Sequence, residues 1–583
     1  MGGTLSRREA MVLGAAAVGA ATGAHAAEQE GTQIDEDSIT PQTIEHAQKL
    51  AGLDFTPAER EAIANRFSRT VRGYQRRRET ALPNGLSPAM VFDARSSAGE
   101  HRTAQTPVTG QTPVTGQTFS ETTGDTPGFI RSADRGGDLP GDDESIAFAP
   151  VTDLSRWIES QAITSERLTR ISLDRLKRYG PRLECVITLT EDLAMEQARR
   201  ADAEIRAGNY RGPLHGLPWG AKDLFDTKGI KTTWGAMPYK DRVPESDAEV
   251  VRRLDQAGAV LVAKTTLGAL AYGDIWFGGK TRNPWDLEQG SSGSSAGSAS
   301  GTASGLFAFS LGTETLGSIV SPSMRCGATG LRPTFGRVPR TGAMALCWSL
   351  DKVGTICRTV EDTALVLNAI HGSDEGDPSS VDEPLAFDAN APLDEIRVGI
   401  VPAWFDGRGA NEIDRSALAA LRNIGVQIVE IEMPKMDPSP LLTILNVEAA
   451  SAFEELTLSG RDDELVWQEP QAWPNSFRKA WFTPAIELVQ AERIRRDVCN
   501  AMAGVFEGVD AIFGPSYAGG MLLITNNTGH PSITLRAGIN ARGRPHGVTL
   551  WGGLFDEGTI ARIGMALEAE LGVWDKRPQA YKA

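Results

Sequence analysis

The chain is 583 residues long, with 40% hydrophobic and 23% charged residues: the balance of a soluble globular protein with a large core and room for roughly two to four domains. A formal net charge of −16 disfavours a nucleic-acid or anionic-membrane surface. Five cysteines (Cys185, Cys326, Cys347, Cys357, Cys499) are widely spread, with no CxxC and no Cys/His cluster at zinc spacing, so neither a metal site nor a disulfide framework is expected.

In chain order, Ser6, Arg7 and Arg8 precede a mild apolar run, Ala10 to Ala21, followed by the small-x-small sequence Ala24-His25-Ala26. This is the order of a twin-arginine export signal spanning 1–26 and cut after Ala26, which predicts a periplasmic protein; a disordered Ala-rich tail is the plain alternative. No other stretch reaches about 18 uninterrupted apolar residues, so no membrane span is expected. Residues 27–85 read as a small helical region. Thr40-Pro41 starts one helix, and Thr56-Pro57-Ala58-Glu59 starts the next with a capping box. Ile63, Phe67, Val71 and Tyr74 share a face of the second helix, expected to pack on the main body, with partner binding as the alternative. Residues 86–150, with TPVTGQ repeated at Thr106–Gln111 and Thr112–Gln117, read as an irregular surface linker.

The globular body runs from 151 to 575, with a short tail at 576–583. Leu154–Tyr179 and Glu191–Gly208 are predicted helices, Asp247–Gly258 is a helix, and Ala259–Lys264 is a strand. Lys222 closes a mostly apolar, strand-like segment, where a lysine either snorkels to solvent or is buried, and burial favours its neutral form. Gly290–Pro333 is the organising stretch. Its first sixteen residues are all Gly, Ser, Ala or Thr, a composition a linker also has. Gly293, Gly297, Gly301 and Gly305 recur every fourth residue, however, which on a helix makes a side-chain-free stripe for close backbone approach. Leu306–Leu311 then reads as a buried strand, and Thr315–Ser318 as a second tight loop. Beyond it, Glu395–Pro402 and Gly425–Glu430 alternate with helices, as in an α/β body.

The pattern GSSAGS, then LGTETLGSI, then a Pro, then CGATGLRPTFGRVPRTG resembles the amidase signature family of serine hydrolases. The segment Pro213–Asp223 around Lys222, the segments Ser349–Arg358 and Asp374–Pro378, and later Ala511–Pro515, Asn526–Pro531 and Arg544–Glu570 are similar to the family as well. The likeness covers 151–435 and 483–575; Met436–Phe482, rich in Trp and Pro, does not fit the pattern, and the region before 151 lies outside it. The resemblance implies an α/β/α amidase signature fold, with a large mixed central sheet covered by helices, plus the N-terminal helical extension. It also implies that Lys222 is a catalytic base and Ser318 the nucleophile. Ser294, after a cis peptide bond, would relay protons between them. The backbone N–H groups of Thr315, Leu316, Gly317 and Ser318 would hold the oxyanion. An amide needs such a set, being a poor electrophile with a poor leaving group. Family members usually carry Asp, Gly and Arg where this chain has Glu314, Leu316 and Val320.

The implied reaction is amide C–N hydrolysis through an acyl-enzyme, with no metal or cofactor. The expected partner is a small-molecule amide or related acyl substrate, with no nucleic acid; a homodimer is left open. An esterase or carbamate hydrolase, a non-catalytic binding protein on the same fold and a glutamine-dependent amidotransferase A-type subunit stay as alternatives. An export signal argues against the amidotransferase, because tRNA charging is cytoplasmic. Gly293-Ser294-Ser295-Ala296-Gly297 also matches G-x-S-x-G, which would make Ser295 the nucleophile with His530 or His546 as base. That elbow needs a strand directly before it, and Asp286–Gln289 reads as a poor one. Gly279-Lys280-Thr281 matches a phosphate loop only in part, because Gly273 is one residue too far upstream. His215 is expected to have a structural hydrogen-bonding role.

Overall fold

The computed structural model describes residues 39–80, 82–97, 128–133, 137–406 and 410–578. The export signal and the TPVTGQ repeat expected from the sequence lie outside the described residues. Two compact units are present, residues 1–80 and 81–583.

In the first unit, helices Pro41–Ala51 and Pro57–Arg78 both start as their sequences require. Thr40 and Thr56 form capping boxes with Thr43 and Glu59, and proline stands in each first turn. Ile44 and Ala64 are buried, whereas Phe67 and Tyr74 of the apolar face are 39% and 51% exposed.

The second unit is organised by an eleven-stranded mixed sheet. Numbered in chain order, its strands are β1 Val186–Leu189, β2 Pro218–Lys222, β3 Val260–Thr265, β4 Phe309–Glu314, β5 Thr329–Arg332 and β6 Lys352–Cys357, followed by β7 Arg397–Ile400, β8 Gln427–Glu430, β9 Ala511–Pro515, β10 Ser532–Ile539 and β11 Pro545–Gly552. Across the sheet they run β8-β7-β9-β11-β10-β5-β6-β4-β2-β3-β1. β2 lies parallel between β3 and β4, while β4 pairs antiparallel with β6. Strands β2, β3, β4, β5 and β6 are buried throughout and, apart from one charged residue in each (Lys222, Lys264, Glu314, Arg332 and Lys352), read as apolar or small runs, because helices cover both faces.

Four elements differ from the sequence expectation. Within 86–150, expected as an irregular surface linker, Asp143–Ala147 is a helix with Ile146 fully buried, and Phe129–Ile130 pairs in parallel with Phe387–Asp388. Leu154–Tyr179 is two helices, Val151–Glu159 and Ser165–Leu183, because Gln161 turns into the left-handed region (φ 58°) and Thr164 then caps a new helix. The strand expected at Leu306–Leu311 is shifted to Phe309–Glu314. The Leu306 N–H still bonds back to the Gly301 carbonyl, so the helix exit consumes the first residues of the apolar run. Asp286–Gly290 does form a strand, but in a two-stranded ladder with Arg282–Asn283 outside the central sheet.

The Trp- and Pro-rich region folds as short helices, Leu442–Ala452, Glu454–Leu458 and Trp473–Ala480. Trp473 stacks on Phe477 at 5.0 Å, and its indole N–H donates to the Leu270 carbonyl at 2.9 Å. Among the described residues no helix is long and apolar enough to cross a membrane.

Candidate active site

Parallel pairing of β2 with β4 brings the carboxyl ends of both strands to one edge, with Ala221 opposite Leu311. Lys222 therefore emerges beside Thr313. Its side chain is fully buried, and its Nζ lies 2.7 Å from Thr313 Oγ1, 2.8 Å from Ser294 Oγ and 3.1 Å from Ser295 Oγ. Burial pulls its pKa down to about 7, against the opposing pull of the Asp351 and Glu314 carboxylates. A lysine surrounded by hydroxyls rather than carboxylates can lose its proton near neutral pH.

The Gly293–Ser294 peptide is cis. Gly293 is required there, since a Cβ would sit 1.9 Å from the Gly273 carbonyl oxygen. Of the four-residue glycine stripe, only Gly297 and Gly301 lie inside the helix Ala296–Ala303; Gly297 lets the helix approach the Thr266 amide and the Cys185 carbonyl. The Ser295 N–H donates to the Ser318 carbonyl at 3.1 Å, which ties the loop carrying Ser294 to the turn carrying Ser318. Ser294 is wholly buried and Ser318 is 8% exposed.

The turn after β4 is held from below by a buried carboxylate. Glu314 Oε2 accepts the N–H groups of Ile319 (2.7 Å) and Val320 (2.9 Å), while Oε1 accepts from Arg332 (2.8 Å) and Asn526 (2.9 Å). Burial pushes its carboxyl up, but the Arg332 charge and these donors outweigh burial and hold it at about 2. Thr315 Oγ1 donates to Asp351 Oδ1 at 2.5 Å. Gly317 has φ +90°, whereas Leu316 is not among the positive-φ residues. The left-handed position therefore falls on the glycine this chain retains, and a Cβ at 316 is tolerated. Among the described residues, the N–H groups of Leu316, Gly317 and Ser318 make no hydrogen bond to a protein acceptor. The departure at Val320 leaves Glu314 paired all the same, because Arg332 reaches it from β5.

The sequence-expected residues Lys222 and Ser294 come together directly, and Ser318 is joined to them through Ser295. Reading the sequence misses Thr313, Asn526 and the pairing of Arg332 with Glu314, although Arg332 and Asn526 sit in segments whose family similarity is visible. Neither histidine of the elbow reading reaches Ser295. His530 Nδ1 is 2.7 Å from Thr528 Oγ1, and His546 Nε2 is 2.7 Å from Asp414 Oδ1. Ser295 Oγ instead bonds the Thr313 carbonyl (3.1 Å) and amide (3.2 Å). His215 accepts the Arg211 N–H at 3.1 Å, lies 3.1 Å from Glu204, and is held neutral by burial, its pKa lowered to about 4. Among the described residues no group of three or more His, Cys, Asp or Glu is arranged to hold a metal ion.

A cavity partly open to solvent adjoins this cluster. Its lining includes Thr313, Thr315, Asp351 and Lys352, but neither Ser294 nor Ser318.

The Amidase family model matches residues 167–522. The A-type subunit of the glutamyl-tRNA(Gln) amidotransferase from Halorhodospira halophila is 32% identical over 483 residues, spanning 74% of this chain and 99% of that protein. The peptide amidase from Stenotrophomonas maltophilia superposes with a TM-score of 0.65 at 29% identity, covering 75% of this chain and 99% of the other. An amidase family protein from Bacillus anthracis gives a TM-score of 0.66 at 25% identity, covering 76% and 95%.

Proposed function

The chain belongs to the Amidase (amidase signature) family and is an amide C–N-cleaving enzyme of it; from that premise we propose that it hydrolyses amides through Lys222, Ser294 and Ser318. Neutral Lys222 accepts the Ser294 hydroxyl proton as Ser294 accepts that of Ser318. Ser318 Oγ then attacks the carbonyl carbon, and the N–H groups of the 315–318 turn receive the developing oxyanion. Ser294 returns its proton to the departing nitrogen, the C–N bond breaks, and an ester to Ser318 is left. Water, deprotonated by the same relay, cleaves that ester and restores the hydroxyl.

The observation that carries this reading is a fully buried lysine, 2.8 Å from Ser294 Oγ, with its pKa lowered to about 7. The test is labelling by a fluorophosphonate, which phosphonylates activated serines with loss of fluoride. Wild type should label, and Ser318→Ala should not. Equal labelling of both would remove Ser318 from the role, and loss in Ser295→Ala alone would restore the elbow reading.

A second reading is favoured by the 32% identity to an amidotransferase A-type chain over nearly its whole length. In it the same site releases ammonia from glutamine for a tRNA-linked acid. Glutamine hydrolysis that depends on added partner subunits, with no turnover of other amides by the isolated chain, would establish that reading over the first.

We also propose export through the Arg7-Arg8 signal. The order of arginine pair, apolar run and small-x-small site supports it.

A further inference from the structure

Residues 82–97 precede the part of the chain that the family model matches, yet two of them, Gly85 and Ser87, line the cavity described above. Two anchors hold them there. At one end Asn84 bonds through both side-chain atoms. Its Nδ2 donates to the Ala345 carbonyl at 2.8 Å and the Ala452 carbonyl at 3.2 Å, and its Oδ1 accepts the Ala345 N–H at 2.8 Å. The Trp348 indole N–H donates to the Asn84 carbonyl at 3.1 Å. At the other end the Arg495 guanidinium lies 3.5 Å over the Phe92 ring, Ala94 is buried, and Arg496 donates to the Ser96 carbonyl at 2.9 Å. A Cβ on Gly529 would meet Ala94 Cβ at 2.9 Å, so the strap lies directly on the body.

Between the anchors, Gly85 and Ser87 line the same cavity as Thr313 and Thr315. Thr313 is the residue whose Oγ1 bonds Lys222 Nζ, so the cavity shares a wall residue with the Lys222 cluster as well as with the strap. Its remaining wall is largely apolar, from Leu224, Ala271, Met344, Leu346 and Val353. The charged residues of the lining are engaged within the protein: Arg340 bidentately by Asp377 at 2.9 and 3.0 Å, Lys352 Nζ by the Leu350 and Asn526 carbonyls, and Asp351 by the Thr315 hydroxyl and the Leu346 and Cys347 N–H groups. With those charges already bonded within the protein, an uncharged, apolar group suits such a wall better than a charged one.

Resting on the hydrolase reading above, we propose that the segment Pro83–Ser97 is a specificity wall: it closes the cavity that takes the apolar arm of the amide substrate and limits that arm's length. Asn84 fixes the wall, and Ser87 faces the arm.

The test uses the full chain and two homologous substrate series, one lengthening the acyl chain and one the N-alkyl chain of a simple aliphatic amide. Asn84→Ala should raise the kcat/KM ratio of long to short members in one series. Ser87→Trp, which fills the cavity without loosening the anchors, should lower it. Each shift should be at least about tenfold, the size of a one-methylene discrimination in an apolar pocket. Ratios equal to wild type in both variants and both series would overturn the proposal.

A binding readout keeps the wall separate from the chemistry. In the Ser318→Ala background, calorimetric titration with the long-chain amide should show weaker binding once Ser87→Trp is added. Undiminished binding would overturn the wall whatever the kinetics show. Loss of binding together with a wild type that resists fluorophosphonate would keep the wall and sink only the proton relay.

Discussion

The Ser295 amide and the Ser318 carbonyl, 3.1 Å apart, join two loops that the sequence separates by a helix and a strand. That hydrogen bond puts the turn after β4 next to the loop carrying Ser294, which Lys222 already holds at 2.8 Å. The expected behaviour of variants follows from how each loop is held.

Lys222 acts as base only when neutral, and its pKa is lowered to about 7 by burial. Raising the pH depletes the protonated form, so kcat/KM should climb about tenfold per unit below 7 and level off above it. Lys222→Ala should lose about 10²- to 10⁴-fold in kcat and abolish the inflection. Initial rates across pH 5 to 9 check both, and a flat profile in wild type would remove the lysine from the base role.

Glu314 lies under the turn, with its carboxyl held at about 2 against an ordinary 4.5. A depressed folded-state pKa contributes stability above pH 4.5 that is lost as the pH falls toward 2, on the order of 3 kcal/mol in all. Denaturant titrations of wild type should show that loss over this window. Glu314→Gln leaves the Arg332 charge buried without its counterion, so it should already be destabilised at pH 7, by about 3 to 5 kcal/mol, with a shallower acid slope. Matching acid slopes in the two proteins would show that Glu314 does not carry this charge.

Gly293 faces the Gly273 carbonyl and Gly317 sits at φ +90°. Gly293→Ala should lower stability by about 1 to 3 kcal/mol through overpacking. Gly317→Ala should cost about 1 to 2 kcal/mol for the left-handed backbone and also reduce kcat, because it distorts the turn proposed to hold the oxyanion. A control, Gly425→Ala, has φ +90° with nothing within 4 Å of its Cβ, and should cost only the backbone part with kcat retained. Thermal melts and kcat for the three variants separate backbone cost from crowding and from chemistry.

Export is checked by cell fractionation. The processed protein should begin at Ala27 in the periplasm, and replacing Arg7 and Arg8 by lysine should hold the full-length chain in the cytoplasm. Processing unaffected by the double substitution would point to another route.

Some elements are legible in the sequence because they depend on local pattern alone. The helix starts at Thr40-Pro41 and Thr56-Pro57, the capping box at Thr56 and the strand that ends at Lys222 follow from residue types at short spacing. Leu154–Tyr179 reads as one helix because its periodic pattern survives across the turn at Gln161, where the backbone in fact breaks. The strand after Gly305 reads three residues too early because an apolar run does not say where its first hydrogen-bonded residue lies.

By itself the sequence determined the residue types and their order: a lysine closing an apolar strand, a glycine before Ser294, a tight turn before Ser318, and the family those motifs mark. Only the tertiary structure decided that β2 runs parallel beside β4, so that Lys222 meets Thr313, and that Glu314 is neutralised by Arg332 on β5 rather than by a neighbour in its own turn. It also decided that a strap from outside the matched region lines the cavity next to these residues. The physical reason is that desolvation and ion pairing depend on distances across the sheet, between residues far apart in the chain, whereas spacing within the chain constrains only nearest turns and strands.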